Sequence, residues 1–171
     1  MFRLSDEGLE LIKVCEAFEP HLYNCPAGHC TIGYGHLVHY GPIGIGDPKR
    51  GISPAFALLL EERWVGGVTE SEALALLRRD LGPREVTVRR LVTVPIDQSE
   101  YDALVDFEYN TGSLATSTLL KKLNAEDYVG AAAEFDRWVW AGSQRLAGLV
   151  IRRDKEEALF RRDLPRVLCT P

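Results

Sequence analysis

From His21 to Pro54 the chain is dominated by Gly, Pro, His and Tyr, while the stretches on both sides carry apolar residues at helical spacing. This asymmetry constrains the fold most. Short alternating pieces such as Thr31-Ile32-Gly33-Tyr34-Gly35-His36, set among turn residues, suit the strands of one small local sheet. The rest of the chain has to pack as helices. The expected class is α+β and mostly helical: one domain over residues 1–171, with a small sheet-containing lobe at about 19–66 and a helical lobe at about 67–171, joined by an N-terminal helix. Two-lobed layouts of this kind leave a cleft between the lobes.

Ser5 is an N-cap for a helix predicted from Asp6 to Phe18, ended by Pro20, in which Leu9, Ile12, Cys15 and Glu16 share one side. A carboxylate on the last turn of an apolar face is an unusual placement, and an ion pair with an Arg accounts for it as well as catalysis does. Thr69 with Glu72 reads as a capping box opening a helix through Leu81, and Pro83 opens a separate segment to about Leu91. Asp97 with Glu100 starts a helix through Tyr109, stopped by Asn110-Thr111-Gly112. Ser117 or Thr118 caps a short helix to Leu123. Asp127–Val139 is expected to be one helix with Tyr128, Ala131, Ala132, Phe135 and Trp138 inward, and Trp138 and Trp140 are both expected in the core. Gly148–Arg162 reads as a final charged helix.

At 171 residues and 19.1 kDa the chain is long enough for one core without metal or disulfide staples. The net charge of −5 argues against an affinity built mainly on nucleic-acid phosphates. The balance is uneven, since residues 137–171 hold eight Arg/Lys against four Asp/Glu, which leaves room for a basic face toward an anionic partner. The Arg78-Arg79, Arg89-Arg90, Arg152-Arg153 and Arg161-Arg162 pairs read as solvated helix faces rather than a nucleic-acid site. The longest strictly apolar run, Ala55–Leu60, is far too short to span a bilayer. The opening Met-Phe-Arg-Leu-Ser-Asp-Glu has no apolar signal core, so synthesis in a cytoplasm is expected, with Cys15, Cys25, Cys30 and Cys169 as free thiols. A Cys25–Cys30 or Cys15–Cys30 disulfide after export is the other arrangement.

The stretch Glu16 to His36 resembles the phage-type lysozymes, glycoside hydrolase family 24, whose signature is Glu, eight residues, Asp or Cys, five residues, Thr. It falls here on Glu16, Cys25 and Thr31, and Thr31-Ile32-Gly33-Tyr34-Gly35-His36-Leu37 continues it. The resemblance extends in order through Val68–Ala73 with Asp80, Phe107–Gly112, Ser117–Leu120, Arg137-Trp138, and Gly148-Leu149 leading to Arg152-Arg153. It implies a lysozyme-like two-lobed fold and cleavage of the bond between N-acetylmuramic acid and N-acetylglucosamine in peptidoglycan. Glu16 is implied as the general acid, Cys25 in the second catalytic position as thiolate base, nucleophile or spacer, and Thr31 as the holder of water. Leu37, Tyr109 and Asn110 are implied to meet the sugar, with His36 and Asp80 as a structural pair and Arg152 orienting Glu16. No cofactor and no metal follow. The implied partners are bacterial peptidoglycan and a holin that releases the enzyme from the host cytoplasm, with no nucleic acid, no membrane span and a monomeric chain.

Three other readings bear on the same residues. A lytic transglycosylase would use Glu16 alone, with a sugar hydroxyl replacing water. Zinc held by His21, Cys25, His29, Cys30 and His36 is disfavoured by a spacing that lacks paired Cys-x2-Cys. A nucleic-acid module would need the Arg pairs. Between His36 and Thr69, 32 residues depart from the compact family pattern and read as an insertion: a buried extra helix, a lid or a partner surface.

Overall fold

The computed structural model describes residues 2–164 and is α+β, with helix dominating. The chain divides into two compact units, one of Glu16–Gly82 and the other formed by the chain before and after it. Cys169 and Arg166 lie outside the described residues.

Helix α1, Asp6–Glu16, begins where the Ser5 hydroxyl accepts from the Gly8 amide at 3.1 Å. It ends two residues sooner than its periodicity predicts. Ala17 takes φ +57° and reverses the chain, so that strand β1, Glu19–Asn24, starts before Pro20 is reached. β1, β2 (Cys30–Gly33) and β3 (His36–His39) form an antiparallel sheet in the order β1-β2-β3. Its register places Tyr23 opposite Thr31 and Thr31 opposite Leu37. β2 is buried along its length. At Gly33, φ is +67° and a Cβ would lie 3.0 Å from the Cβ of Ala73, so only glycine lets this end of the sheet sit against the helix that carries Ala73.

The stretch from His39 to Thr69 contains helix α2, Pro54–Glu61, capped by Ser53. This helix is not the buried one that its apolar sequence allowed. Only Ala57 and Glu61 are buried, while Phe56, Leu58 and Leu59 are exposed.

Helix α3 runs unbroken from Glu70 to Leu91, with Pro83 inside it. The Thr69–Glu72 box closes its start through both reciprocal bonds. The expected restart at Pro83 does not occur. A proline forfeits one backbone bond to the preceding turn, and the helix continues through it with Leu77 and Leu81 buried before it and Val88 buried after it. The division between the units falls at this point, between Gly82 and Pro83.

In the helical unit, α4 (Gln98–Thr111) is buried at every residue from Ser99 to Glu108 and packs along α7 (Ala147–Arg161). The Asp97–Glu100 capping box opens α4, and Gly112 at φ +60° closes it. Between them lie α5 (Thr118–Asn124), capped by Ser117, and α6 (Tyr128–Ala132). The single helix expected over Asp127–Val139 is therefore broken. α6 stops at Ala132, a 3-10 turn covers Phe135–Arg137, and a hairpin of β4 (Trp140–Ala141) and β5 (Gln144–Arg145) follows. Aromatic packing accounts for the break. Phe135 meets Phe107 at 5.5 Å and Phe160 at 5.7 Å, and Trp138 meets Phe107 edge-on at 5.1 Å, contacts that a continuous helix would not aim at one point. Trp140, expected in the core, is 57% exposed on the hairpin.

Candidate active site

Glu16 is the last residue of α1 and half-buried. Nine residues later the chain turns at Cys25-Pro26-Ala27-Gly28, where the Gly28 amide donates to the Cys25 carbonyl at 2.7 Å and Gly28 sits at φ +77°. The turn folds its own backbone N–H groups back toward the Cys25 sulfur. Burial pushes that thiol up. The N–H of His29, the Thr31 hydroxyl, and the N–H groups of Ala27 and Gly28 together outweigh burial, and the thiol lies below its ordinary value.

Thr31 is 3% exposed in the middle strand, and its hydroxyl also reaches the His29 carbonyl at 2.9 Å. A hydroxyl has one proton to give. That proton is within reach of both the His29 carbonyl and the Cys25 sulfur. Tyr23, directly across from Thr31, has its phenol pushed up by burial and then by the negative charges of Glu16, Cys25 and Glu19. Glu16, Tyr23, Cys25 and Thr31 thus share one electrostatic neighbourhood. Sequence reasoning missed Tyr23, although strand alternation places it on the same face as Thr31.

His36 Nδ1 lies 2.7 Å from Asp80, and Nε2 lies 3.1 Å from the Arg79 guanidinium. Arginine only donates, so Nε2 accepts and Nδ1–H donates to Asp80. Both ring nitrogens are engaged by these partners. Leu37 on β3 is 38% exposed. A cavity of about 380 Å³ opens beside this pair, lined by Trp64, Arg63 and Arg79 among others, with the Arg63 guanidinium 4.6 Å above the Trp64 ring.

The remaining candidates belong to the helical unit. Tyr109 and Asn110 end α4, where the Arg153 guanidinium donates to Asn110 Oδ1 at 2.7 Å. Arg152 pairs with Asp106 and with Glu156 at 3.4 Å, and Arg153 pairs with Glu156 at 3.0 Å. The Arg152-Arg153 pair, read from sequence as a solvated face, is buried: 5% and 0% exposed. Their partners come from α4 and from their own helix, so much of the basic balance of residues 137–171 is spent inside the unit. Burial pushes Glu156 well up, with the Asp106 charge adding to it, and draws Arg153 down.

The proposed zinc ligands are dispersed by these contacts. His36 is held by Asp80, and His29 Nδ1 accepts from the Gly41 amide at 3.2 Å. Cys15, Cys25 and Cys30 are free thiols in this structure. Burial pushes the Cys15 thiol up.

The sheet unit thus holds a carboxyl at a helix end, a thiol in a strand turn and a hydroxyl on the middle strand. Comparison with known proteins identifies the family. The phage lysozyme family model matches residues 13–156, and the chain belongs to that family. It is 38% identical over 163 residues to an endolysin of Acyrthosiphon pisum secondary endosymbiont phage 1, covering 92% of this chain and 97% of that one. Among solved structures, it is similar to the muramidase domain of SpmX from Asticaccaulis excentricus, with TM-score 0.73 and 30% identity over the whole of both chains. A mutant of the lysozyme of Salmonella phage P22 matches with TM-score 0.71 and 32% identity, over 94% of this chain and 99% of that one.

Proposed function

We propose that this phage-type lysozyme hydrolyses the β-1,4 bond between N-acetylmuramic acid and N-acetylglucosamine with Glu16 as general acid, Cys25 as base and Thr31 holding the water. Glu16 gives its proton to the leaving glycosidic oxygen as the bond to the anomeric carbon breaks and its electron pair goes to that oxygen. Water adds to the oxocarbenium carbon, and its proton passes to the Cys25 thiolate. Solvent then restores the proton to Glu16 and removes it from Cys25. One observation carries the assignment of Cys25: the Thr31 hydroxyl and three backbone N–H groups converge on its sulfur and pull the thiol down.

Leu37, opposite Thr31 in the sheet, supplies apolar contact for the sugar rings. Among the described residues no helix is long and apolar enough to cross a membrane. The endolysin likeness supports release from the host cytoplasm through a holin pore, with the chain acting as a monomer; lysis on induction that fails when the holin is deleted tests this.

Glu16→Gln should lower wall lysis by about 10²–10⁴-fold. Cys25→Asp should remain active and Cys25→Ala should lose about 10²-fold or more. A fully active Cys25→Ala enzyme removes the base from Cys25. Mass spectrometry of the muropeptides completes the test: reducing ends mark hydrolysis, whereas 1,6-anhydro ends mark the transglycosylase that uses Glu16 alone.

A further inference from the structure

Behind the sheet, Cys30 of β2, His39 of β3 and Glu61 of α2 bring their Sγ, Nε2 and carboxylate oxygen within 4.8 Å of one another, and all three residues are at most 5% exposed. His39 Nδ1 lies 2.9 Å from the Tyr40 carbonyl, which can only accept, so Nδ1 carries the ring proton. Nε2 of the neutral ring is then a lone pair, yet it faces Glu61 Oε1 at 2.6 Å. The Gly44 amide donates to that same oxygen at 2.7 Å and fixes it in place. Two acceptors pressed together in a dry site require a cation between them, either a proton or a metal ion.

We infer that Cys30, His39 and Glu61 form a buried binding site for zinc or a similar thiophilic divalent ion, which fastens the stretch from His39 to Glu61 to the sheet. Sulfur, imidazole nitrogen and carboxylate oxygen are a zinc ligand set, and tetrahedral zinc holds such atoms roughly 3.3–3.8 Å apart. To reach that spacing the His39–Glu61 contact, now 2.6 Å, has to open by about 1 Å. The second Glu61 oxygen or a water completes the fourth position. The Nδ1–H to carbonyl bond is the outer support that metal-bound histidines commonly have. The loop that carries these supports is tight: Gly41 is at φ +87°, and a Cβ there would fall 1.9 Å from the Gly46 carbonyl oxygen. None of these ligands belongs to the proposed catalytic set. Burial and the Glu61 charge push the Cys30 thiol up to about 12, so uptake of the ion must displace the thiol proton to solvent.

The test uses the full chain without an affinity tag, stripped with EDTA and then given zinc. Native mass spectrometry should show one zinc per chain, the melting temperature should rise on adding zinc, and binding should release protons in a weakly buffered solution. Cobalt in place of zinc should give a thiolate charge-transfer band. Cys30→Ala should abolish that band and weaken zinc binding by more than about tenfold, with Glu61→Gln as a milder second variant, while Cys25→Ala should keep both. If the folded wild-type chain takes up no zinc and melts identically with zinc or EDTA, a proton bridges His39 and Glu61 and the proposal fails. It also fails if Cys25→Ala, and not Cys30→Ala, loses the ion.

Discussion

The Arg152-Arg153 cluster of the helical unit and the Cys25 turn of the sheet unit hold their polar groups in opposite ways. In the helical unit, Arg152, Arg153, Asp106 and Glu156 are ionisable groups sealed among one another, with Glu156 pushed well up by burial. In the sheet unit, the polar work at Cys25 is done by backbone N–H groups and one hydroxyl around a partly exposed sulfur. Sealed charges make a rigid and costly scaffold, because removing one partner strands the other. Oriented dipoles at a turn bias an ionisation without sealing it, as a group that must exchange protons with water requires.

The largest expected effect breaks the sealed cluster. Glu156→Ala leaves Arg153 without its main counter-charge and should cost about 3–5 kcal/mol of stability, read as a loss of denaturation midpoint. Replacing both partners with apolar residues, Arg153→Met with Glu156→Leu, should recover most of it, apart from the lost Arg153–Asn110 bond. If the double variant is as unstable as the single one, the cluster is stabilising in its own right and the contrast between the units is wrong.

Next comes the dipole site. Thr31→Val keeps the strand shape and removes the hydroxyl from Cys25. A hydrogen bond to a charged group contributes about 1.5–3 kcal/mol, so lysis should fall by roughly 10–100-fold with little change in melting temperature. The pH profile of iodoacetamide alkylation reports the cause directly. Because the wild-type thiol is pulled down, its alkylation rate should rise at lower pH than that of a free thiol, and Thr31→Val should move the profile upward. The sign for stability is the usual one for a lowered acid: the contribution is present above the ordinary thiol range and is lost as pH falls through the lowered value.

How far these features could be read in advance depends on the range of the forces that make them. Glu16, Cys25 and Thr31 came from the family signature, and strand pairing and a four-residue turn, which act over a few residues, place them in one unit. The capping boxes at Thr69 and Asp97 were legible because they too act over a few residues. The Arg152-Arg153 pair was misread, because the partner that buries Arg152, Asp106, lies 46 residues away. Pro83 misled for the opposite reason: the local cost of a proline is real, but buried residues on both sides override it. Nothing in the sequence marked His39 with Glu61, since the stretch joining them has no repeat that reports its folding.

The smallest effects sharpen the comparison most, because the same motif occurs once in each unit. Glu72 and Glu100 both close capping boxes at helix starts. Glu72 is exposed, and its bonds from the Thr69 amide and hydroxyl pull its carboxyl below the ordinary value. Glu100 is buried, and burial pushes its carboxyl up in spite of the bond from the Asp97 amide. The signs therefore oppose. The Glu72 contribution is present above the ordinary carboxyl range and fades as pH falls through its lowered value, whereas the Glu100 contribution is present at acid pH and fades as pH rises through its raised value. Glu72→Gln should thus lower the melting temperature slightly at neutral pH, with the gap to wild type closing under acid. Glu100→Gln should raise it slightly at neutral pH, because an uncharged amide replaces a desolvated carboxylate, and that gap should also close under acid. Thermal melts of the two variants from pH 7 down to about 4, which brackets the ordinary carboxyl range, are the measurement. Shifts of the same sign at neutral pH would mean that burial does not set how each unit treats its charges.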